Sequence, residues 1–164
     1  RLEKSDMVKL KRFDLRSPDE MEQFNTYFIE YLAEVCDEEE YQDNIREMHD
    51  DELNSQMIAQ TLRTDNPYFI MKILLDGEYV GFVSYAYNQK SCRGFINNLF
   101  VRNCFRRAGV GAKALMLAEA NVKALGGTLM ELVPVDGVEG FYLRNGYEAV
   151  RMNADHEAVY AKSL

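Results

Sequence analysis

The sequence has few cysteines and lacks any long apolar run, and both features narrow the class of protein. Its cysteines are Cys36, Cys92 and Cys104. An odd number without metal-ligand spacing argues against a disulfide framework and against a zinc site. No stretch reaches the roughly 18 apolar residues of a membrane span, and residues 1–6 lack the apolar centre of a secretion signal. We therefore expect a cytoplasmic protein that binds neither a membrane nor a metal ion.

Positive charge is also scarce. The 19 Lys and Arg residues are outnumbered by 27 Asp and Glu, which gives a net charge of −8 and argues against nucleic acid as a partner. Between positions 19 and 55 the only Lys or Arg is Arg46. The acids in that stretch are Asp19, Glu20, Glu22, Glu30, Glu34, Asp37, Glu38, Glu39, Glu40, Asp43, Glu47, Asp50, Asp51 and Glu52. Such a run fits a solvated surface as well as a surface that attracts cations.

The segment 106–111, with the sequence Arg-Arg-Ala-Gly-Val-Gly, carries the clearest functional signal. Its two glycines allow a tight turn and a close approach of backbone to a ligand. A helix is predicted to start there, and its first N–H groups and its dipole favour an anion. Arg106 and Arg107 add positive charge at the same point. The segment therefore predicts a binding site for a diphosphate.

Two common phosphate motifs fit this segment poorly. A Walker A loop ends in Gly-Lys-Ser/Thr, which Gly111-Ala112-Lys113 does not supply. A dinucleotide fingerprint fits Gly109, Gly111 and Ala114 better, and Glu131 lies where its ribose-binding acid would be. In that motif, however, the first glycine follows the strand almost at once, whereas a basic loop separates Val101 from Gly109 here. The spacing therefore disfavours a dinucleotide.

Hydrophobic periodicity and turn signals predict an α/β (α+β) fold, in a single domain over residues 1–164. Helices are predicted from the capping signal at Ser17, over 51–62, from the glycine segment to Leu125, and in a short stretch around Tyr142. Strands are predicted at 7–13, 68–75, 79–87, 95–101, 128–133, 147–152 and 157–162. Asp76-Gly77 predicts a type I′ hairpin between two of them. This order predicts a mixed central sheet of about six or seven strands with helices on both sides.

Two motifs in this order resemble the GNAT superfamily of N-acetyltransferases. The first is a strand ending in Leu99-Phe100-Val101, followed by Arg106-x-x-Gly109-x-Gly111. The second is the segment 140–147, Gly-Phe-Tyr-Leu-Arg-Asn-Gly-Tyr, which is similar to the family's Phe-Tyr-x-x-x-Gly-Phe/Tyr. The resemblance covers about residues 80–150. It implies a GNAT fold and acetyl-CoA as cosubstrate.

The resemblance also implies roles for individual residues. The backbone of Leu99, Phe100 and Val101 would bind the pantetheine arm, where the strands on either side of the crossover helix splay apart. The diphosphate would lie on the loop and first helical turn, which comprise Arg106, Arg107, Ala108, Gly109, Val110, Gly111 and Ala112. The N–H group of Val101 or Phe100 would stabilise the carbonyl oxygen during acyl transfer.

Tyr142 matches the residue that serves as general acid in the family. A phenol with an ordinary pKa near ~10 is protonated at neutral pH and can donate to a departing thiolate. The alternative for Tyr142 is an aromatic side chain that packs in the core.

The residue that takes the proton from the amine is less evident. Some relatives have a Glu in the strand before the loop, where this chain has Asn97 and Asn98. Strand alternation predicts that Asn97 points to the side of Leu99 and Val101. Glu131 and Asp136 are candidates for a proton relay. Solvated carboxylates, with a water chain as the relay, remain an equal alternative.

Two functions are compatible with these residues. The first is an N-acetyltransferase that transfers the acetyl group from acetyl-CoA to a primary amine, either a small cationic amine or a protein amine. In a GNAT fold the first two helices flank the acceptor, so their acids would attract a cation. The second is a non-catalytic acetyl-CoA-binding module that has kept the phosphate site. The resemblance also makes a homodimer possible.

Overall fold

The structure is a computed structural model that describes residues 7–164. The described residues form one seven-stranded sheet with the order β1-β2-β3-β4-β5-β7-β6. Its strands are β1 (Val8–Arg12), β2 (Tyr68–Leu75), β3 (Glu78–Asn88), β4 (Arg93–Val101), β5 (Leu129–Leu132), β6 (Glu148–Met152) and β7 (Ala158–Ser163). The β4–β5 pair is parallel, and the neighbouring pairs are antiparallel. The mixed sheet predicted from the sequence is confirmed.

The structure has five α-helices among the described residues, and the first begins at the capping signal predicted at Ser17. They are α1 (Pro18–Val35), α2 (Glu38–Met48), α3 (Asp51–Thr61), α4 (Val110–Ala124) and α5 (Glu139–Arg144), with a short 3₁₀ turn at Asn103–Phe105. The Ser17 hydroxyl accepts a hydrogen bond from the Glu20 N–H, and Pro18 occupies the first helical position. The helix that the sequence predicts over 51–62 is α3, and the Asp50 carboxylate caps it.

The helix α2 was not predicted. None of its residues is buried, so it lacks the apolar stripe from which a helix is recognised in a sequence. It starts at Asp37, whose carboxylate accepts a hydrogen bond from the Glu40 N–H at 2.8 Å. The chain therefore has three helices between β1 and β2, where the sequence predicts two.

The helices cover both faces of the sheet with separate cores. On one face α1 packs against an aromatic cluster that includes Phe24, Phe82 and Phe100. On the other face the buried side of α4, which includes Leu115 and Val122, packs against the rest of the sheet. The strand β4 contributes to both cores, so it lies at the centre of the molecule.

A β-bulge interrupts β4. The register with β3 shifts between Ser84 and Tyr85 and leaves Asn97 without a partner. Ile96 and Leu99, three residues apart, therefore both face the α4 side. Asn97 instead lies beside Tyr68, which packs on the α1 side. The prediction that Asn97 shares a side with Leu99 and Val101 is wrong, because an extra residue in a bulge reverses the alternation.

Candidate active site

A gap opens between β4 and β5. The two strands pair only from Arg93–Leu129 to Ile96–Leu132, and β4 continues to Val101 without a strand on that side. A cavity of about 490 Å³ occupies this gap. Its walls come from β4, the end of α1, the start of α4, the segment after β5, and α5.

The hydrogen-bond pattern of β4 decides which backbone groups face the gap. The Arg102 N–H donates to the Val80 carbonyl on β3 at 2.9 Å. This bond places Val101 in a non-hydrogen-bonded position of the antiparallel ladder, and Phe100 in a hydrogen-bonded one. The N–H of Phe100 is therefore bound to β3. Leu99 and Val101 direct their N–H and C=O groups into the gap, so Val101 remains a candidate to stabilise a carbonyl oxygen and Phe100 does not.

The N-terminus of α4 forms an anion site at one end of the cavity. Gly109 adopts the left-handed conformation with φ of 78° and lets the chain turn into the helix. No side chain caps α4, and the first intrahelical bond runs from the Lys113 N–H to the Gly109 carbonyl at 3.1 Å. The N–H groups of Val110–Ala112 are thus free for a ligand, and the helix dipole favours a negative one.

The Arg106 side chain is held at the end of β4. Its Nε donates to the Val101 carbonyl at 2.6 Å, and its Nη2 contacts both Glu34 carboxylate oxygens at 2.8 and 2.7 Å. Glu34 therefore offsets the positive charge of Arg106, which the sequence analysis expected to attract the diphosphate. The other arginines that line the cavity are Arg107 and Arg144.

Tyr142 lies in the wall of the cavity opposite α1. It is 8% exposed, and its ring packs edge-on against Tyr147 at 5.8 Å. Burial raises the pKa of Tyr142 to about 12, and the nearby Tyr31 acts in the same direction. No hydrogen bond to a described side chain engages its hydroxyl. The phenol is therefore protonated at neutral pH and free to donate to a ligand.

Comparison with known proteins identifies the family. A family model described as "Acetyltransferase (GNAT) family" matches residues 21–147.

The chain belongs to the GNAT acetyltransferase family. Membership of this family makes it an acyltransferase.

Solved structures of GNAT proteins share its fold. PaiA N-acetyltransferase from Thermoplasma acidophilum, in complex with coenzyme A, has a TM-score of 0.73 at 15% identity, covering 96% of this chain and 99% of that one. An aminoglycoside 6′-N-acetyltransferase complexed with coenzyme A has a TM-score of 0.66 at 15% identity, covering 94% and 96%. An acetyltransferase from Thermus thermophilus has a TM-score of 0.70 at 14% identity, covering 96% and 97%. No curated protein sequence matches this GNAT chain.

The structure does not bring Glu131 to the GNAT active site. Its carboxylate is 6% exposed and bound by the Arg151 guanidinium at 2.5 and 3.2 Å, with Arg93 at 3.7 Å. The hydrogen bond from Arg151 lowers the pKa of Glu131 against the effect of burial. A carboxylate held in this way is a weak base, and Glu131 is not among the residues that line the cavity, so its position gives a relay role no support.

Asp136 also lies outside the cavity wall. It is exposed in the turn after β5, while its neighbours Val135 and Val138 line the cavity. Asp136 therefore lies beside the cavity, and its role as a proton relay stays a prediction.

The acids of α1 are less available to attract a cation than the sequence indicates. Three of them pair with basic residues that follow much later in the chain, so counting Arg46 alone underestimates the opposing charge. The pairs are Glu20–Lys72 at 3.8 Å, Glu30–Arg102 at 3.3 Å and Glu34–Arg106 at 2.7 Å. The first turn of α2, with Glu38, Glu39 and Glu40, remains exposed next to the end of α1.

Tyr31 and Asn98 are site residues that the sequence did not single out. Both line the cavity, and the Asn98 amide donates to the Tyr31 hydroxyl at 3.0 Å. The two residues are 67 positions apart in the chain, and no local motif indicates that they meet.

Residues 7–164 contain neither a cluster of metal-ligating side chains nor a helix that could span a membrane. No group of three or more His, Cys, Asp or Glu side chains is placed to hold a metal ion. In the same part of the chain, every helix is too short or too polar to cross a bilayer.

Proposed function

We propose that this chain is an N-acetyltransferase that uses acetyl-CoA to acetylate a primary amine by direct attack. The observation that carries the proposal is the joining of two features in one cavity. The free N–H groups of Val110–Ala112 form an anion site at one end, and the free edge of β4 runs along the side. Together they suit a long ligand with a diphosphate and an amide-containing arm.

The chain fits coenzyme A at each of these places. The diphosphate would be held by the segment Arg106–Ala112, chiefly by the N–H groups at the start of α4. The free N–H and C=O groups of Leu99 would pair with the amides of the pantetheine arm. A Cβ at Gly111 would make only an ordinary contact with Phe141 at 3.6 Å, so the N–H groups of this turn, and not the absence of that side chain, would hold the diphosphate. PaiA and the aminoglycoside acetyltransferase contain coenzyme A in their structures.

Two groups in the cavity serve the reaction. Acetyl-CoA supplies the activated acetyl group as a thioester. The Val101 N–H faces the gap and would stabilise the negative charge that forms on the carbonyl oxygen. Tyr142 would donate to the departing sulfur.

The pKa of Tyr142 shapes that role. A phenol with a pKa of about 12 is a weaker acid than an ordinary thiol at about 8.5. Tyr142 would therefore assist mainly by a hydrogen bond to the sulfur, and full proton transfer would come late in the step.

The amine would lose its proton to water in the cavity. Glu131 is held by Arg151, and Glu34 is held by Arg106. Asn97 and Asn98 also line the cavity, but amides do not act as bases at neutral pH. This proposal adopts the water chain that the sequence left open beside a carboxylate relay.

We further propose a cationic acceptor, either a small amine or a protein amine, and a reducing compartment such as the cytoplasm. The exposed acids in the first turn of α2 follow the end of α1, which lines the cavity, and would attract a cation. The cysteines Cys36, Cys92 and Cys104 are free thiols, as is usual where thiols stay reduced. The whole of residues 1–164 would act as one domain.

Calorimetry combined with a thiol-release assay tests the proposal. The chain is titrated with acetyl-CoA and with desulfo-CoA, and thiol release is followed with polyamines, aminoglycosides, lysine peptides and neutral amines. We expect binding of both ligands and thiol release with at least one class of amine. Failure of the folded protein to bind acetyl-CoA would overturn the assignment of the cavity. Binding without turnover on any amine would favour a non-catalytic acetyl-CoA-binding module.

A further inference from the structure

A short chain of hydrogen-bonded polar groups crosses the aromatic core and ends at the cavity. Ser84 on β3 is 2% exposed, and its hydroxyl donates to Asn98 Oδ1 at 2.8 Å. Asn98 Nδ2 in turn donates to the Tyr31 hydroxyl oxygen at 3.0 Å. Polar groups in an aromatic core cost free energy unless they are paired, so their presence there calls for a reason.

This chain fixes the direction of the Tyr31 hydroxyl. Ser84 donates to the amide oxygen of Asn98, and the amide nitrogen faces Tyr31. The Tyr31 oxygen therefore accepts from Asn98 with one lone pair and keeps its O–H and its second lone pair. No other described side chain hydrogen-bonds to this hydroxyl.

The free groups of Tyr31 face the cavity. Tyr31 lines it from α1, and its ring is held by Phe82 at 5.8 Å and Phe100 at 6.1 Å. Its hydroxyl is close enough to Tyr142 that it raises the pKa of that residue. Tyr31 and Tyr142 thus flank the same space, one from each wall.

We propose that the Tyr31 hydroxyl binds the nitrogen of the acceptor amine and that Ser84 and Asn98 set the direction of this hydroxyl. The second lone pair of the Tyr31 oxygen would accept an N–H of the amine, which leaves the amine's own lone pair to attack the thioester carbon. The inference rests on the proposed acetyl transfer and adds the group that orients its acceptor.

Tyr31 acts in this scheme as a neutral hydrogen-bonding group. Burial raises its pKa against the effect of the Asn98 hydrogen bond, so the phenol stays protonated over the working pH range. No proton is transferred through it. Tyr31 would touch the substrate, whereas Ser84 and Asn98 are positioning residues.

Tyr27 offers a matched control on the same helix. It lies four residues before Tyr31, packs against the same aromatic cluster, and donates its hydroxyl to the Tyr79 carbonyl at 2.8 Å. It does not line the cavity. Tyr27→Phe and Tyr31→Phe therefore each remove one phenolic oxygen from α1, and only the second removes one from the cavity.

The experiment compares kcat and KM of these variants for the amine that the panel identifies. We expect Tyr31→Phe to lower kcat/KM for that amine about tenfold, as loss of one hydrogen bond of about 1.4 kcal/mol would do. Affinity for acetyl-CoA, measured by calorimetry, should stay within about twofold. Tyr27→Phe should keep wild-type kcat/KM.

A double-mutant cycle tests the role of the buried chain. Ser84→Ala frees the Asn98 amide to turn, so it should lower kcat/KM by a smaller factor than Tyr31→Phe. The double variant Tyr31→Phe with Ser84→Ala should lose no more than Tyr31→Phe alone, because both act through one hydroxyl.

The outcomes distinguish a failure of the Tyr31 role from a failure of the proposed acetyl transfer. A Tyr31→Phe protein as active as Tyr27→Phe, or additive losses in the cycle, would overturn the role of Tyr31 and leave acetyl transfer standing. A wild-type protein that releases no thiol with any amine would overturn acetyl transfer and the role of Tyr31 with it.

Discussion

Tyr142 and Glu131 show that the hydrogen-bond partners of a buried side chain determine whether its pKa is raised or lowered. Both are less than a tenth exposed, at 8% and 6%. Tyr142 has no hydrogen-bonded charge beside it, so burial raises its pKa and keeps its proton. Glu131 has Arg151, whose hydrogen bond outweighs burial and lowers its pKa. The first is therefore poised to donate, and the second is poor at accepting.

The variant Tyr142→Phe tests the acid role. It keeps the ring that packs on Tyr147 and removes only the hydroxyl. We expect kcat to fall by ~10²-fold, which is the loss of a hydrogen bond to a charged sulfur and the low end of a general acid's contribution, with acetyl-CoA affinity nearly kept. Steady-state kinetics and calorimetry on the same preparation measure both quantities.

The pH profile supplies the control for Tyr142. Because its pKa is about 12, the wild-type enzyme should keep its kcat up to about pH 10. Unchanged kcat in Tyr142→Phe would remove this residue from the mechanism.

The variant Glu131→Gln tests the structural role of Glu131. It leaves Arg151 and Arg93 without their anion, so we expect a loss of about 1–2 kcal/mol in the free energy of unfolding at neutral pH, with kcat within about twofold of wild type. Chemical denaturation and the thiol assay measure the two effects. A large fall in kcat at unchanged stability would restore Glu131 as a relay.

The sign of the pH dependence follows from the lowered pKa of Glu131. Its ionised form stabilises the folded state above the ordinary Glu value of about 4.3. This contribution is lost as the pH falls through the lower folded-state value. The difference in stability between wild type and Glu131→Gln should therefore shrink on acidification below about pH 4.3.

At the scale of helices and strands, features that adjacent residues determine can be predicted from the sequence, whereas features that distant contacts determine cannot. The start of α1 follows from Ser17 and Pro18, and the hairpin after β2 follows from Asp76-Gly77, whose φ angles of 50° and 86° match a type I′ turn. These features depend on adjacent residues, so the sequence predicts them. The glycine segment before α4 belongs to the same class.

Features that depend on distant residues could not be predicted. The helix α2 has no buried face to mark it. The bulge at Asn97 arises from the register with β3, and the partner of Arg106 lies 72 residues away on α1. Nothing in the local sequence specifies such pairings, so the free backbone groups of β4 and the role of Tyr31 emerge only from the structure.

The N-terminus of α4 supports a prediction at this scale. Gly109→Val places a β-branched side chain at a φ of 78°, where it would crowd the anion site and strain the turn. We expect acetyl-CoA affinity to fall at least about tenfold, or about 1.4 kcal/mol. Calorimetry measures the affinity, and circular dichroism confirms folding.

Gly111→Ala is the matched control for Gly109→Val. Its Cβ would meet only ordinary contacts, with Phe141 at 3.6 Å and Val101 at 3.8 Å, so affinity should be nearly kept. Wild-type affinity in a folded Gly109→Val protein would contradict the placement of the diphosphate at this turn.

At the scale of the whole molecule, the acids are distributed unevenly. The net charge is −8, but several α1 acids are paired with Lys72, Arg102 and Arg106. Among the exposed acids close in the chain to cavity-lining residues, Asp136 is a single charge, whereas the first turn of α2 carries three together. If the acceptor is a cation, this turn should draw it in through a field that salt screens.

A charge-removal variant tests this attraction. Replacing Glu38, Glu39 and Glu40 together by Gln should lower kcat/KM for a cationic amine about threefold or more at low salt, and leave kcat/KM for a neutral amine unchanged. Removing Glu148, Asp155 and Glu157 at the far edge of the sheet, with the same change in net charge, should have little effect on either. Raising the salt from about 0.05 to 0.5 M should abolish the difference between wild type and the α2 variant, because the Debye length falls below about 5 Å. If both triple variants respond alike, total charge governs encounter and the first turn of α2 has no special part in acceptor binding.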